Sequence, residues 1–256
     1  MRARKALLFA VALLLLGSVA VGGCRRVKLA ETASGAGASN EKQTVQLGAA
    51  ASLATSVRKG VGTLVLSASD ASPTLALDGS FSYPEASWKP TVKYSVEATR
   101  GTLLVDQPDV SGFPSVTLGT RGERDMSWIV KLATGVPTDL PLKLGVGDSD
   151  VSLAGIDVTT LEVISDVGKT KLDLTGSRTH DLRGSVKSGV GEVDITVPSN
   201  VGVKLTGGTE GVGELVAPGF SNSEGGLVNS AWSGPGPKIE LDLTRGVGKI
   251  RVASTD

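Results

Sequence analysis

The chain has few of the residues from which enzyme sites and metal centres are usually built. Its 256 residues include one cysteine, Cys24, and one histidine, His180, and aromatic residues make up only 4%. Without a second cysteine no intramolecular disulfide can form, and a zinc site would need several more His or Cys ligands. A Ser-His-Asp site would have to use His180, but the adjacent Asp181 would point to the opposite face of a strand. The composition therefore predicts no catalytic, cofactor or metal site.

Acidic residues are the remaining candidates for chemistry. They are spread along the second half of the chain at Asp148, Asp150, Asp166, Asp173, Asp181 and Asp194. Aligned in one row, they could bind Ca²⁺ or act as paired carboxylates on a polysaccharide. Lysine and arginine residues alternate with them, however, and mixed charge is typical of an exposed sheet face. We therefore expect a solvated surface here.

The N-terminus has the composition of a secretory signal. A basic start is followed by an apolar run, Ala6 to Ala20, and by Val-Gly-Gly before Cys24. The run is too short for a typical membrane-spanning helix, and its end resembles a bacterial lipobox, whose cysteine becomes the lipid-bearing mature N-terminus. We expect residues 1–23 to be removed and Cys24 to be lipidated. The alternative is an uncleaved membrane anchor with an incidental thiol.

This signal predicts where the protein lies and what it does not bind. The mature chain would be extracytoplasmic, held by the lipid on Cys24 at the cell membrane or the outer membrane. Residues 1–23 carry three of the 26 basic residues and none of the 26 acidic ones, so the mature chain is slightly acidic. That balance is not typical of a nucleic-acid-binding protein. Residues 24–44 are rich in Ala, Gly, Ser and charge, which predicts a flexible tether.

A short phrase, Gly-Val-Gly, recurs along the chain and gives the strongest structural signal. Its five copies and one Asp-Val-Gly variant are centred on Val61, Val146, Val167, Val190, Val212 and Val247. From Val146 to Val212 the spacing is close to 22 residues, the mark of a solenoid in which each coil stacks on the last. We therefore expect the valines of this stretch to occupy equivalent positions on successive coils, with their side chains directed inward.

Alternation of apolar and polar residues predicts that the coils are built from strands. The alternation continues almost without a break from residue 56 to residue 252, and no long amphipathic helix follows residue 23. The predicted fold class is all-β, a solenoid or rack of short strands with a β cap region at its N-terminal end. The predicted domains are 45–133 and 134–256. An antiparallel sandwich with hairpins is the alternative, because periodicity alone does not exclude it.

Several segments carry a resemblance to a known family. The segments WKPTVKYSV, RGTL, QP, SWIVKL and PLKLGVG lie at residues 88–96, 100–103, 107–108, 127–132 and 141–147. Together they resemble the N-terminal toast-rack domain. The later Gly-Val-Gly strands are similar to toast-rack C-terminal repeats, to LiaF-like envelope-stress regulators and to repeat-built "putative adhesin" domains. The resemblance implies a β-solenoid-like rack and no catalytic residues. LiaF-like proteins also have membrane helices before this domain, whereas this chain has only a signal and a lipid site.

Two functional hypotheses follow. The first is a lipid-anchored, extracytoplasmic, non-enzymatic module for interaction, scaffolding or stress sensing at the cell envelope, with an envelope protein or a wall polymer as its partner. The second is a carbohydrate-active β-solenoid enzyme acting on wall or capsule polysaccharide. The second hypothesis requires a groove with exposed aromatic residues, and few aromatic residues are present.

Overall fold

The computed structural model describes residues 28–31, 39–70, 74–109, 126–208 and 211–255, and within them the chain is nearly all β. The one helical element in these ranges is a single 3-10 turn, Ala86–Trp88. The predicted all-β fold class is therefore confirmed. The described strands are β1 (Lys28–Glu31), β2 (Ser39–Gln46), β3 (Ser52–Val61), β4 (Thr63–Ala68), β5 (Leu75–Tyr83), β6 (Thr91–Glu97), β7 (Arg100–Asp106), β8 (Ser127–Leu132), β9 (Thr138–Val146), β10 (Ser149–Ser152), β11 (Val158–Asp173), β12 (Leu182–Pro198), β13 (Gly202–Gly207), β14 (Val212–Val216), β15 (Ser221–Ser223), β16 (Gly226–Val228) and β17 (Lys238–Thr255).

The strands form two layers that are joined at the Gly-Val-Gly phrases. The first layer runs β6, β7, β3, β9, the first half of β11, β12 and β17, then β13, β16 and β15. The second runs β1, β2, β5, β8, β4, β10, the second half of β11, β12 and β17, then β14. Each long strand therefore passes from one layer to the other at its phrase. We call this bend the corner, and one passage through both layers a coil.

The coils stack in parallel and in register, which excludes the antiparallel sandwich for the repeat region. Val167 pairs with Val146 on one side and with Val190 on the other. Antiparallel strands occur at the two ends of the stack, as in the β5–β8 and β13–β16 pairs. Such end strands cover the open ends of a repeat core.

The stacking order differs from the predicted one at the C-terminal end. The prediction placed the Val212 coil directly after the Val190 coil. Instead β17, the last strand of the chain, lies between them, so Val247 pairs with Val190 and Val212 pairs with Val247. The spacing of 22 residues could not reveal this, because the chain leaves the stack through the β15–β16 hairpin and then returns into it. Coils therefore do not all stack on the one before.

The N-terminal strands continue the same stack. β3 and β4 pair with β9 and β10, so strands from 45–133 and from 134–256 share one core. The predicted tether, 24–44, differs from the structure in part, because Ser39–Gln46 forms β2 and pairs with β5. The inward side of β2 is largely polar, so it lacks an apolar pattern in the sequence: its Glu41 carboxylate is buried and accepts hydrogen bonds from Gln43 and Tyr83. Gln43 and Val45 of β2 are buried.

The core consists mainly of Val, Leu and Ile from alternate positions of both layers. Leu142, Leu161 and Leu241 are each 1% exposed or less. Burial of each such side chain stabilises the fold by about 1.5–3 kcal/mol relative to exposure, before entropy is subtracted. At the N-terminal end the core is closed by Trp128 and Phe81, whose rings meet edge to face with centroids 5.2 Å apart. These two aromatic residues thus act in the core.

Candidate binding surface at the corner

Glycine is needed at the corner because successive coils approach each other too closely for a side chain. Gly168 has φ of +136°, in the region that favours glycine. A Cβ atom placed on it would lie 2.2 Å from the backbone oxygen of Gly147 in the neighbouring coil. On the inner side of the same bend, Ser165 Oγ and Thr170 Oγ1 lie 2.9 Å apart. The strand therefore folds over at this point, with its polar hydroxyls inside.

The valines of the phrases form a row along the outside of the corner. In stacking order this valine row is Val61, Val146, Val167, Val190, Val247 and Val212. Val61 is half-buried, and the other five are exposed by 40%, 43%, 52%, 53% and 73% in that order along the stack. The row is continuous because neighbouring valines are paired in register, about 4.8 Å apart.

The expectation that these valines point inward is therefore wrong. The bend interrupts the two-residue alternation, so the inward positions near Val190 are taken by Ser188 before it and Val193 after it. Except at Val167, which follows Asp166, each valine is flanked by two glycines, which have no side chains to cover it. The signal that could have shown this was in the sequence, because a valine between two glycines has no neighbouring side chain with which to pack.

Charged residues of alternating sign follow the valine row in the second layer. Two positions after the last five valines of the row, the stacked residues are Asp148, Lys169, Glu192, Lys249 and Glu214. Lys169 Nζ lies 3.0 Å from Asp194 and 3.3 Å from Glu192, and these carboxylates, Asp194 first, raise the pKa of Lys169. Lys249 Nζ lies 3.4 Å from Glu214. Like charges are thus kept apart along the stack. Because these pairs are exposed, solvent screens them and they contribute little to stability.

A second row lies on the other side of the valines, three positions before each of the first five. In stacking order it contains Arg58, Lys143, Ile164, Lys187 and Thr244. Arg58 is paired with Asp106 at 2.8 Å, while Lys143 and Lys187 are exposed. The corner thus presents an apolar row between two rows that contain charged residues.

Gln107 covers the N-terminal end of the corner, where no glycine phrase continues the stack. Its side-chain oxygen accepts hydrogen bonds from the backbone N–H groups of Gly60 at 2.9 Å and Val61 at 3.2 Å. Its own backbone N–H donates to the Arg58 oxygen. The Gln-Pro pair that carried part of the family resemblance therefore has a structural role as a cap.

Lys59 is buried beneath this cap. Its Nζ lies 4.6 Å from the ring centroid of Trp128 and donates a hydrogen bond to the Val61 backbone oxygen at 2.9 Å. The aromatic face favours the ammonium form, but loss of hydration outweighs it, and burial lowers the pKa of Lys59 to about 7. Sequence reasoning did not single out this residue. Its position, two residues before a corner valine where other coils carry Leu144 or Ser165, was the available signal.

An open groove lies beside the Lys59 end of the corner. It has a volume of about 530 Å³, and its lining includes Trp88, Gln107, Lys143, Val146 and Asp166. Its rim carries both signs of charge. The groove borders residue 109, the last described residue before the 110–125 gap.

The sequence candidates for chemistry are distributed as follows. Cys24 lies outside the described residues. His180 Nδ1 lies 2.7 Å from Asp157, which sequence reasoning missed, whereas Asp181 accepts a hydrogen bond from the Lys238 backbone. Among the described residues no group of three or more His, Cys, Asp or Glu side chains could hold a metal ion. Asp150 and Asp194 lie instead in one outward row in which they alternate with Lys171 and Arg251, whereas Asp173 accepts a hydrogen bond from Ser152.

The aromatic residues and the helical elements complete this description. Tyr83 and Trp128 are buried, and Trp88 contributes to the groove lining but is only 6% exposed, so these three side chains offer little surface on which a sugar could stack. No helix in the described part of the chain is long and apolar enough to cross a membrane.

Comparison with known proteins places this geometry in a family. Residues 34–196, more than half of the chain, match the family model described as the N-terminal domain of toast_rack, DUF2154. The crystal structure of a "putative cell adhesion protein" from Clostridium sporogenes ATCC 15579 is 29% identical, with a TM-score of 0.77 over 85% of this chain and 100% of that one.

A second solved structure, that of a "putative adhesin" from Bacteroides fragilis NCTC 9343, is 11% identical and covers 84% of this chain and 97% of that one. Its TM-score of 0.26 is too low to indicate a shared fold. No curated protein matches the chain. The family match, the in-register coils and the Gly-Val-Gly corner agree, and the chain belongs to the toast-rack family.

Proposed function

We propose that this protein is a lipid-anchored, extracytoplasmic, non-enzymatic module that binds a component of the cell envelope through the corner. The carrying observation is the valine row. Monomeric proteins seldom leave a continuous apolar strip in water, and a strip bordered by polar residues is typical of an interaction site. The solved structure that covers 85% of this chain is described as a "putative cell adhesion protein", which supports binding at a surface.

The stack makes the corner suitable for this task. Each coil is hydrogen-bonded to the next over long in-register stretches, as between β12 and β17. Side chains at the corner are therefore held on a stiff support, and little conformational entropy is lost when a partner binds. The lipid on Cys24 would hold this surface close to the membrane.

Fractionation tests the anchor. We expect wild-type protein to stay with membranes in high salt and to be solubilised by detergent. The Cys24→Ser variant should lose this lipid-dependent association with membranes. Mass spectrometry of the N-terminal peptide checks the modification directly. An unmodified Cys24 in the membrane fraction would contradict the lipid anchor.

Mild crosslinking in intact cells tests the corner. We expect envelope components that crosslink to wild type to be lost with Val190→Asp and retained with Ile129→Asp. Ile129 is a matched control, because it is 45% exposed and lies on the outer face of β8 away from the corner. Equal capture by both variants would contradict binding through the corner.

A further inference from the structure

We propose that the valine row is the contact surface between two copies of this chain, which lie side by side with their stacks parallel. Their twofold axis runs along the stack, so each valine meets the same valine of the second copy. This inference names a partner for the corner and rests on the proposed function for the membrane anchoring that brings the copies together.

The charges beside the valine row match in this arrangement. A twofold axis along the row places the residue three positions before each valine opposite the residue two positions after the same valine in the other copy. At Val146 these residues are Lys143 and Asp148, and at Val190 they are Lys187 and Glu192. Both coils therefore bring a lysine to a carboxylate.

On the remaining coils, no two residues of like charge would face each other across the contact. Where the later residue is a lysine, the earlier one is uncharged: Ile164 accompanies Lys169, and Thr244 accompanies Lys249. Arg58 already has Asp106 as its partner at 2.8 Å, and the later residue of its coil is Thr63. The pattern holds on five successive coils. Solubility alone does not require the charges of one row to match those of the other row coil by coil.

The position of the N-terminus agrees with parallel stacks. β2 pairs with β5, and β5 pairs with β8, at the end of the stack farthest from β14. A twofold axis along the stack keeps this end of both copies on the same side. Both chains can then reach one membrane through the residues that precede Ser39, whereas antiparallel stacks would direct them to opposite sides.

The size of the contact explains why the anchor matters. Six valines spaced by about 4.8 Å give a row roughly 24 Å long. Even with its flanking charges, such a strip belongs to the small interfaces that bind weakly. Two anchored copies share a thin layer at the membrane, and their high local concentration favours a contact that would be sparse in dilute solution.

Cysteine crosslinking in isolated membranes tests the arrangement with the full-length chain. Val146→Cys and Val247→Cys are made separately, and each is treated with a thiol oxidant. We expect each variant to form a disulfide dimer with itself. In cells that express both, distinguished by tags, we expect a 146–247 heterodimer to be rare, because parallel stacks place these positions on different coils.

Control measurements define the results that would overturn the proposal. Ile129→Cys reports random collisions, and dimer yields at Val146 or Val247 no higher than at Ile129 would overturn the proposal. A dominant 146–247 heterodimer would overturn parallel stacks. Wild type shows whether Cys24 contributes a thiol, and a failed lipid anchor appears in fractionation independently of the disulfide pattern.

Charge exchange provides a second test on the Val247→Cys reporter. We expect Lys143→Glu to lower the dimer yield several-fold, because the introduced carboxylate would meet Asp148 of the other copy. Adding Asp148→Lys should restore the yield, since the pair then has its signs reversed. A yield that does not respond to the first substitution, or is not restored by the second, would contradict the charge pairing.

Discussion

Val247 lies directly beside Val190 across the β12–β17 pair, although Val212 is the copy of the phrase that follows Val190 in the sequence. The last strand of the chain is therefore an interior member of both layers. It is paired with β12 on one side and with β13 and β14 on the other. The C-terminal residues thus join two parts of the rack that would otherwise be separated.

This position predicts slow hydrogen exchange for the C-terminal strand. The amides of Leu241 and Leu243 lie between two coils, and both side chains are 1% exposed. We expect them to exchange among the slowest in the protein, and the amides of β14, which has one described neighbour, to exchange faster. Native-state exchange followed by mass spectrometry checks this order. Faster exchange in residues 239–243 than in β14 would place β17 at an edge instead.

Alanine at a corner glycine should destabilise the stack severely. A Cβ atom on Gly191 would lie 2.0 Å from the backbone oxygen of Gly168, and φ is +138°. We expect Gly191→Ala to cost several kcal/mol, because two hydrogen-bonded strands would have to separate. Gly219→Ala is the control. Gly219 also has positive φ but no atom within 4 Å of the added Cβ, so about 1 kcal/mol is expected. Urea unfolding gives both values, and similar costs would contradict the close approach.

Two substitutions at Gln107 distinguish the contribution of its side-chain oxygen to stability from that of its side-chain size. Gln107→Leu removes the acceptor for the N–H groups of Gly60 and Val61, and we expect a cost of about 1–3 kcal/mol. Gln107→Glu keeps an oxygen in place and should retain most of the stability. Thermal unfolding of the two variants measures the difference. A leucine variant as stable as the glutamate variant would show that the cap is not needed.

Burial of Lys59 should make stability depend on pH. The pKa of Lys59 is about 7 in the folded protein and near 10.5 when unfolded. Between these values the unfolded chain binds more protons, so the free energy of unfolding should rise with pH by up to about 1.4 kcal/mol per unit. Below about pH 7 both states are protonated and the buried charge exerts its full destabilising effect.

Lys59→Met removes this dependence. Unfolding free energies at several pH values between about 7 and 10.5 should give a flatter profile for Lys59→Met than for wild type. Lys143→Met, at an exposed lysine on the same end of the corner, should keep the wild-type slope. Parallel profiles for wild type and Lys59→Met would mean that the buried amine does not titrate in this range.

The repeat predicted the architecture because glycine spacing reports the bend of each coil. Gly147, Gly168 and Gly191 occur where successive strands must turn at close distance, so their period equals the coil length. Alternation on either side of the bend also identified the buried rows. These features are local, and local sequence is sufficient to indicate them.

One feature was not local and could not be predicted, and a second was predicted wrongly from a local pattern. The insertion of β17 depends on pairing between residues far apart in sequence, which a fixed period does not encode. The direction of Val190 depends on the bend itself, where the two-residue alternation of a straight strand no longer applies. Lys187 and Glu192 carry opposite charges on the two sides of Val190, and this arrangement indicates a contact surface only because Val190 is exposed.

Thermal unfolding of Val190→Asp and Val193→Asp gives the most direct test that the valine row is an outer surface. The two residues lie three positions apart in one coil, and they are 52% and 1% exposed. We expect Val190→Asp to change the unfolding free energy by about 0.5 kcal/mol or less, and Val193→Asp to cost several kcal/mol by burying an unpaired carboxylate. Equal loss of stability in the two variants would show that Val190 belongs to the core, and would contradict the exposed row on which both proposals depend.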